Sequence, residues 1–193
     1  RHYKNHCSYL GKGSVEAIQT THTTQPTQRH CTFNINKRFR LNHALKYMRK
    51  AKLDTLFIPE PFGYNNVTYI QRKEHYLNKA AGKKGYTIYA QEKSLLIARH
   101  RITNSRNVSH TTHMQGRIQT LSYSTSTTTS LTIIGVYAHT GTIEQLNPNH
   151  TETPTQSQRE LLSTTLENII LQTPPTNTHT VLVHGDMQDT INS

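Results

Sequence analysis

The chain has 193 residues, and its 22 Lys and Arg outnumber its 11 Asp and Glu, which gives a formal net charge of +11 at pH 7. Only 33% of the residues are hydrophobic, and the mean hydropathy is −0.71. No apolar run approaches the roughly 18 residues of a membrane-spanning helix, so we expect no membrane span and no secretory leader. The basic excess favours a polyanionic partner, most simply nucleic acid, and surface charge that serves solubility alone is the alternative.

The two cysteines do not form a metal-binding pattern. Cys7 and Cys31 lack the paired spacing that a structural zinc site needs. A disulfide between them is one alternative and reduced thiols are the other, and we favour reduced thiols. We expect an intracellular protein, located in the nucleus or the cytoplasm.

The first part of the chain divides into a tail and the start of a domain. Residues 1–30 are rich in His, Thr, Gln and Lys without an apolar period, so we expect a polar, disordered or loosely attached tail. Apolar alternation then predicts a strand over 31–35, and apolar residues at helical spacing predict a helix over 41–52. The apolar run at 55–58 predicts a buried strand. Strand, helix and strand together favour a crossover unit or a sheet with a covering helix.

The middle of the chain is dominated by predicted strands. A helix is expected over 70–81, closed by the glycines that follow it. The segments after it alternate apolar and polar residues and are separated by short turns, which predicts an antiparallel meander. Its strands are expected at 87–90, 94–102, 116–124 and 131–139, with a hairpin turn in the Ser/Thr tract at 124–130.

The last part predicts a helix followed by a strand. Ser157 and Glu160 form a capping box, which predicts the start of a helix over 157–171. The apolar residues at 180–184 predict a strand with Asp186 at its carboxyl end. We expect one central sheet that contains the strands at 31–35, 55–58, 131–138 and 180–184, with the helices at 41–52 and 157–171 on its outer face.

Polar side chains lie at the ends of these predicted buried strands. They include the carboxylates of Glu60 and Asp186, and a fold can gather strand ends around one point. A hard divalent cation such as Mg²⁺ binds to oxygen, usually from one or two carboxylates completed by water and substrate phosphate. The strand ends therefore predict a candidate magnesium site.

Six motifs in this order, each on its predicted element, resemble the endonuclease/exonuclease/phosphatase superfamily. That superfamily includes DNase I, the apurinic/apyrimidinic endonucleases and the endonuclease domains of non-LTR retroelements. The motifs are TFNINK (Thr32–Lys37), LDTLFIPEP (Leu53–Pro61), SLLIARHRI (Ser94–Ile102), IIGVYAHTG (Ile133–Gly141), SQRELLSTTLENII (Ser157–Ile170) and VLVHGDMQ (Val181–Gln188).

The resemblance implies a metal site and a phosphate site. Glu60 matches the principal metal ligand and Asn36 a residue near the metal, which implies Mg²⁺ or Mn²⁺ as the cofactor. Among the catalytic positions, Asn34 would orient the phosphate or a carboxylate, and Tyr137 would hydrogen-bond the scissile phosphate, as in the apurinic-type branch. Asp186 would activate or orient the attacking water, and Gln188 stands where the family usually has Asn.

A structural explanation remains open at each of these positions. The asparagines would then satisfy backbone groups at a strand end, Glu60 would be a solvated loop acid, Tyr137 a core tyrosine and Asp186 a turn residue. For four other groups we favour the structural explanation over a functional one. These are Arg159, His139, His184 and the basic cluster Lys46, Arg49 and Lys50, which is either solvated helix surface or a DNA contact.

By this resemblance the fold is a DNase I-like α/β sandwich of two packed, mostly antiparallel sheets with outer helices. It covers residues 31–193 and lacks the superfamily's C-terminal portion, so we expect an incomplete domain with one face of the strands at 131–138 and 180–184 open to water. The implied function is metal-dependent phosphodiester hydrolysis, as a DNA endonuclease such as that of a retroelement. We expect the chain by itself to be nearly inactive. The alternatives are a degenerate fragment that only binds nucleic acid and a phosphatase of the same superfamily, and the oligomeric state is undefined.

Overall fold

The computed structural model describes residues 28–34, 39–62, 67–138 and 158–186. Within them lie eight strands and four α-helices, together with a short 3₁₀ turn at Met114–Gly116. The strands are β1 (His30–Thr32), β2 (Thr55–Pro59), β3 (Tyr86–Ala90), β4 (Ser94–Arg99), β5 (Ser109–His113), β6 (Ile118–Ser124), β7 (Ser130–Tyr137) and β8 (His179–Asp186). The helices are α1 (Leu41–Lys50), α2 (Val67–Gly82), α3 (His100–Thr103) and α4 (Gln158–Gln172).

The strands form two four-stranded sheets that pack face to face. The first sheet has the order β1-β2-β4-β3 and the second the order β5-β6-β7-β8. Parallel pairing occurs between β1 and β2 and between β7 and β8, and α1 and α4 are the respective crossover helices. The remaining pairs are antiparallel. The predicted α/β sandwich of two mostly antiparallel sheets with outer helices is therefore confirmed.

The expectation of one central sheet is wrong. The strands at 31–35 and 55–58 belong to the first sheet, whereas those at 131–138 and 180–184 belong to the second. An apolar run shows that a strand is buried on both faces, but it does not show which neighbour the strand pairs with. The predicted meander divides in the same way, because β3 and β4 pair in the first sheet and β5, β6 and β7 in the second.

The inner faces of both sheets share one apolar core. Phe57 and Leu96 of the first sheet pack with Leu121 and Ile133 of the second. Gly135 allows the close approach of the sheets, since a Cβ there would lie 2.4 Å from the Phe57 ring. All four core side chains are at most 1% exposed, so this interface fixes the two sheets against each other.

The outer face of the first sheet is covered by α1 and α2. Leu45 and Met48 of α1, with Ile70 and Leu77 of α2, belong to one core cluster with residues of β2 and β4. Helix α2 also covers the edge of the sheet, because the Asn78 side chain donates to the Ile88 carbonyl at 2.6 Å and accepts from the Ile88 N–H at 2.7 Å. An edge strand that is hydrogen-bonded in this way cannot pair with another chain.

The outer face of the second sheet is covered by α4. Leu162 and Ile169 pack on Ile118, Ile134 and Val136. Seven of the eight residues of β7 are buried, so the expectation of an open face is wrong for this strand. Exposure is found at the two edge strands: β5 has no buried residue, and the residues of β8 are exposed or half-buried except Gly185.

The structure corrects several predicted boundaries. Gln28, Arg29 and His30 do not belong to the tail, because His30 begins β1 and the Arg29 N–H donates to the buried Asp54 carboxylate at 3.0 Å. His100 to Thr103 form a helix rather than the end of a strand. Strand β5 was not predicted, since its sequence SHTTH is polar and lies at an exposed sheet edge. Residues 1–27 lie outside the described residues, so the polar tail remains a prediction.

The expected Ser/Thr hairpin turn is confirmed. Thr125 and Ser126 both donate their backbone N–H groups to the Thr129 carbonyl, between β6 and β7.

Across the described part of the chain, none of the helices is long and apolar enough to cross a bilayer.

Candidate active site

The carboxyl ends of the two parallel strand pairs meet where the sheets face each other. The Thr32 hydroxyl and His184 Nδ1 share a hydrogen bond at 2.7 Å, and two residues further along each strand Asn34 Nδ2 donates to Asp186 Oδ2 at 2.8 Å. Because these contacts advance in step, β1 and β8 run in the same direction across the interface. The structure thus brings Asn34 and Asp186 together from opposite sheets.

Glu60 lies at the end of β2 in an unusual backbone conformation. Its φ is +45°, in the left-handed region, which costs a non-glycine residue roughly 1–2 kcal/mol. The Glu60 N–H donates to the Lys93 carbonyl at 2.9 Å, which holds this conformation. Left-handed non-glycine residues are enriched at functional sites, where neighbouring contacts compensate the strain.

Tyr137 connects Glu60 with Asp186. Burial raises the pKa of the Tyr137 phenol well above its usual value, and a side-chain hydrogen bond with Glu60 raises it further. The charges of Glu60 and Asp186 act in the same direction, so both carboxylates lie within electrostatic reach of the phenol. The phenol is therefore a proton donor at every physiological pH.

Arg117 is a site residue that sequence reasoning missed. Its guanidinium lies 4.9 Å from the centroid of the Tyr137 ring and donates to the Ala138 carbonyl at 3.2 Å. Burial lowers the Arg117 pKa, and the neighbouring Tyr137 and Glu60 oppose this shift. An arginine over an aromatic face is a cation–π contact, which adds positive charge beside the two carboxylates.

The glycine before Arg117 was the available signal. Gly116 has φ +86°, and a Cβ there would lie 2.2 Å from Gln91 Cβ. The Ser94 hydroxyl donates to the Gly116 carbonyl, and Gln119 Nε2 donates to the Ser94 hydroxyl at 2.7 Å. Position 116 therefore requires glycine, and this glycine immediately precedes Arg117, the residue before the start of β6.

Gly185 similarly fixes the position of Asp186. A Cβ on Gly185 would lie 2.0 Å from the Val136 carbonyl oxygen of the neighbouring strand. The Ala138 N–H donates to the Asp186 carbonyl at 2.9 Å, which holds the end of β8 against the end of β7. Close strand packing thus requires the glycine of this Gly-Asp pair, which places Asp186 at the end of the strand.

His184 occupies a packed position rather than the site itself. Its ring stands edge-on to Phe57 at 6.1 Å between centroids, and its Nδ1 is engaged by Thr32. Burial, then the nearby His30, lowers its pKa to about 3. It is therefore neutral near pH 7, in agreement with the structural explanation favoured from the sequence.

The other predicted positions are not described. Asn36, Gln188 and His139 lie outside the described residues, as does the Arg159 side chain, so their roles remain predictions. Within the described part of the chain, no three His, Cys, Asp or Glu side chains form a group that could hold a metal. The donors present are two carboxylates and an amide, which are the hard oxygen ligands that Mg²⁺ or Mn²⁺ accepts together with water.

Comparisons with known proteins gave matches among solved structures. No family model matches the sequence, and no curated protein matches it. A D. rerio TDP2 humanized by 14 mutations has a TM-score of 0.46 and 14% identity, over 82% of this chain and 61% of that one. An AP endonuclease from Archaeoglobus fulgidus has a TM-score of 0.48 and 18% identity, over 81% and 55%. D. rerio TDP2 complexed with single-strand DNA product has a TM-score of 0.44 and 15% identity, over 80% and 56%.

The chain thus spans between 55% and 61% of the length of these solved structures. All three TM-scores lie below 0.5 and the identities are low. The architecture described above therefore rests on the strand order, the sheet packing and the helix positions of this chain.

Proposed function

We propose that the chain is a metal-dependent phosphodiesterase of the endonuclease/exonuclease/phosphatase superfamily that acts on DNA. The observation that carries the proposal is the coupled pair of contacts between the sheets, Asn34 with Asp186 and Tyr137 with Glu60. These four residues match the superfamily motifs in the sequence, and they come from four different strand ends. Within the superfamily, Tyr137 favours the branch of apurinic/apyrimidinic and retroelement endonucleases.

Asp186 is proposed to position the attacking water. Its Oδ2 accepts from Asn34, which fixes the plane of the carboxylate. A carboxylate with a fixed orientation accepts a hydrogen bond from water along a defined direction, which places the water for in-line attack on phosphorus. Asn34 acts here as a positioning residue.

Tyr137 is proposed to donate to an oxygen of the scissile phosphate when substrate is bound, in exchange for its hydrogen bond with Glu60, whose carboxylate then holds the metal. Its phenol remains protonated because burial and Glu60 both raise its pKa. A fixed donor is worth most where negative charge develops in the transition state, typically about 10²–10³ in rate. Arg117, stacked on the Tyr137 ring, holds the ring and adds positive potential on the same side.

Glu60, together with Asn36 as predicted from the sequence, would hold the metal. When bound, Mg²⁺ or Mn²⁺ would offset the negative charge on the phosphate and the leaving oxygen. The left-handed backbone at Glu60 fits this role, because it sets the direction in which the side chain leaves the end of β2.

A second candidate function is nucleic-acid binding without hydrolysis. The observation that favours it is the net charge of +11, which attracts phosphate backbones whether or not the site is competent. Gln188, in place of the usual Asn, is consistent with this alternative.

The test combines metal binding with cleavage. We would titrate Mn²⁺ by electron paramagnetic resonance and follow nicking of supercoiled plasmid with Mg²⁺ at enzyme excess, since the expected turnover is slow. Glu60→Gln should weaken Mn²⁺ binding at least tenfold. Asp186→Asn should keep most of the Mn²⁺ binding and lower cleavage by about 10²–10⁴. Glu167→Gln, which removes an exposed carboxylate on α4, is the matched control and should change neither.

The outcomes separate the candidates. Equal Mn²⁺ affinity in wild type and Glu60→Gln would remove Glu60 as a ligand and contradict the proposed metal site. Plasmid binding with no cleavage above the Asp186→Asn level would favour binding without hydrolysis.

A further inference from the structure

The outer layer of the first sheet carries a surface that the candidate active site does not use. We call it the basic face, and it consists of the exposed side chains of α1 and α2. Its residues are Lys46, Arg49 and Lys50 on α1, and Tyr69, Arg72, Tyr76 and Lys79 on α2.

The α2 part of this face follows from helical spacing. Tyr69, Arg72, Tyr76 and Lys79 lie at positions i, i+3, i+7 and i+10, which places them along one side of the helix. The opposite side packs on the sheet, where Leu77 is 3% exposed. The two tyrosines are about 10.5 Å apart along the helix axis, at 1.5 Å per residue.

Both tyrosines present large aromatic surfaces to solvent. Tyr76 is 65% exposed and Tyr69 is 41% exposed. The other large hydrophobic side chains exposed in the described part of the chain are Leu161, Leu171 and Val183, on α4 and β8. Exposed aromatic rings are therefore confined to the helix where Arg72 and Lys79 lie between and beside them.

The exposed charged side chains of α1, α2 and the described residues that flank them are all basic. Residues 40–84 contain ten Lys and Arg but three acids, Asp54, Glu60 and Glu74. Asp54 is buried with Arg101 at 2.5 Å, Glu74 accepts from the Ala90 N–H at 3.0 Å, and Glu60 belongs to the candidate site. None of the three is exposed, so no acid on this layer offsets the lysines and arginines.

Tyrosine and cation together point to one class of ligand. Lys and Arg neutralise phosphates of any nucleic acid, and this charge contact is independent of strand number. Aromatic rings stack on bases only where the bases are unpaired, and each stacked base contributes roughly 1–3 kcal/mol. The two rings lie about 10.5 Å apart along the helix axis, which is about the length of three nucleotides when the phosphates of one strand are spaced by about 3.4 Å.

We propose that the basic face binds single-stranded nucleic acid, with phosphates on its Lys and Arg side chains and bases stacked on Tyr69 and Tyr76. Helices α1 and α2 cover the outer face of the first sheet, whereas the candidate active site lies at strand ends where the two sheets meet, so the basic face is separate from that site. The interaction does not depend on the proposed hydrolysis, because it needs neither the metal nor Asp186.

The test measures binding of a fluorescent 12-nucleotide oligothymidylate and of a 12-base-pair duplex by anisotropy, in EDTA. Tyr76→Ala should weaken binding of the single strand by about 5- to 150-fold and leave duplex binding within twofold. Tyr76→Trp should retain the affinity, whereas Tyr76→Leu should not, because stacking needs a π-face. Leu171→Ala is the matched control for loss of an exposed large side chain and should have no effect.

Charge is tested separately. Lys79→Gln should weaken both ligands and lower the salt dependence of binding, and Arg106→Gln, which removes an exposed charge outside the basic face, should weaken them less. Both ligands are measured in EDTA, without the metal that the proposed hydrolysis needs, so failure of the proposed hydrolysis leaves this result unchanged.

Three results would overturn the inference. One is a Tyr76→Ala variant that binds oligothymidylate like wild type. Another is a Tyr76→Ala variant that loses equal affinity for the duplex and the single strand, which would show that the basic face does not distinguish unpaired bases. The third is Tyr76-dependent binding to phosphatidylserine vesicles at an affinity above that for oligothymidylate, which would assign the face to a lipid surface.

Discussion

The outer coverings of the two sheets differ in extent and in charge. The first sheet lies under α1 and α2, its edge strand β3 is hydrogen-bonded by Asn78, and its surface is basic. The second sheet lies under α4, whose described charged residues are the acids Glu160 and Glu167, and its edge strand β8 is half-exposed. The first sheet is therefore the more completely covered of the two, and the edge of the second is the more exposed.

This difference bears on the candidate site because the site needs both halves. The first sheet supplies Asn34 and Glu60, whereas the second supplies Tyr137 and Asp186. Asp186 lies at the end of the edge strand β8, which is largely exposed or half-buried, whereas Glu60 follows the fully buried β2. The geometry of the candidate site should consequently be more sensitive to changes in β8 than to changes of similar size in β2.

The largest expected effect is on the free energy of unfolding, when a Leu→Ala substitution is made in each of the two sheets. Leu56→Ala removes a fully buried side chain from β2, which should lower the free energy of unfolding by about 2–5 kcal/mol. Leu182→Ala, on partly buried β8, should cost about half as much or less. Urea denaturation followed by circular dichroism measures both. Equal losses would mean that the second sheet is as firmly packed as the first.

The next effect is a loss of stability in acid, which tests His30 of β1 and His184 of β8, whose rings interact electrostatically. Burial, then Arg101, lowers the pKa of His30 to about 4, and burial, then His30, lowers that of His184 to about 3. The folded state favours the neutral rings, so their contribution is complete above about pH 6.5 and is lost as the pH falls towards 4. At pH 5 each histidine should lower the free energy of unfolding by about 2 kcal/mol, because each pH unit below the unfolded-state pKa contributes about 1.4 kcal/mol.

Urea denaturation at pH 7.5 and pH 5 checks this, since most carboxylates stay ionised over that range. His30→Gln should reduce the pH dependence by about half. An unchanged dependence in that variant would show that His30 titrates normally in the fold.

A smaller effect tests how β8 positions Asp186. Gly185→Ala should lower stability by about 1–3 kcal/mol, because its Cβ would meet the Val136 carbonyl, and it should also reduce plasmid cleavage by displacing Asp186. Gly82→Ala, where nothing lies within 4 Å of the added Cβ, is the matched control and should leave both unchanged or raise stability slightly. If Gly185→Ala proves as stable as wild type, the close packing of β7 and β8 is not what holds Asp186.

Much of the local structure could be predicted from the sequence, whereas the pairing of strands could not. The apolar spacing of α1, the glycines that follow α2 and the capping box of α4 predicted these helices to within a few residues. The assignment of strands to sheets failed because β2 and β7 are both buried and apolar, and the choice between partners is made by long-range packing such as Phe57 on Gly135. Strand β5 escaped prediction because its pairing with β6 depends on backbone hydrogen bonds and not on apolar side chains.

The candidate site shows the same division. Residues at strand ends could be found because their types match the chemistry, as with Glu60 and Asp186. Gly116 signals a special backbone position before Arg117, but the role of Arg117 could not be found, because it comes from its place over the Tyr137 ring, which the folded arrangement of β6 and β7 creates. The roles of Asn36 and Gln188 remain predictions.

The smallest expected effect tests whether Arg117 connects the two halves of the site. Arg117→Lys keeps the charge but replaces the planar guanidinium, so it should weaken the contact with the Tyr137 ring and the bond to the Ala138 carbonyl. A partly desolvated cation–π contact is worth about 0.5–2 kcal/mol, which corresponds to a loss of about 2- to 30-fold in cleavage. Arg117→Met removes the charge as well as the planar group, so it should lower cleavage further than Arg117→Lys does. A merely structural Arg117 would lower stability in both variants and leave the cleavage rate of the folded protein unchanged. If Arg117→Lys and Arg117→Met both cleave like wild type, Arg117 does not contribute to the candidate site.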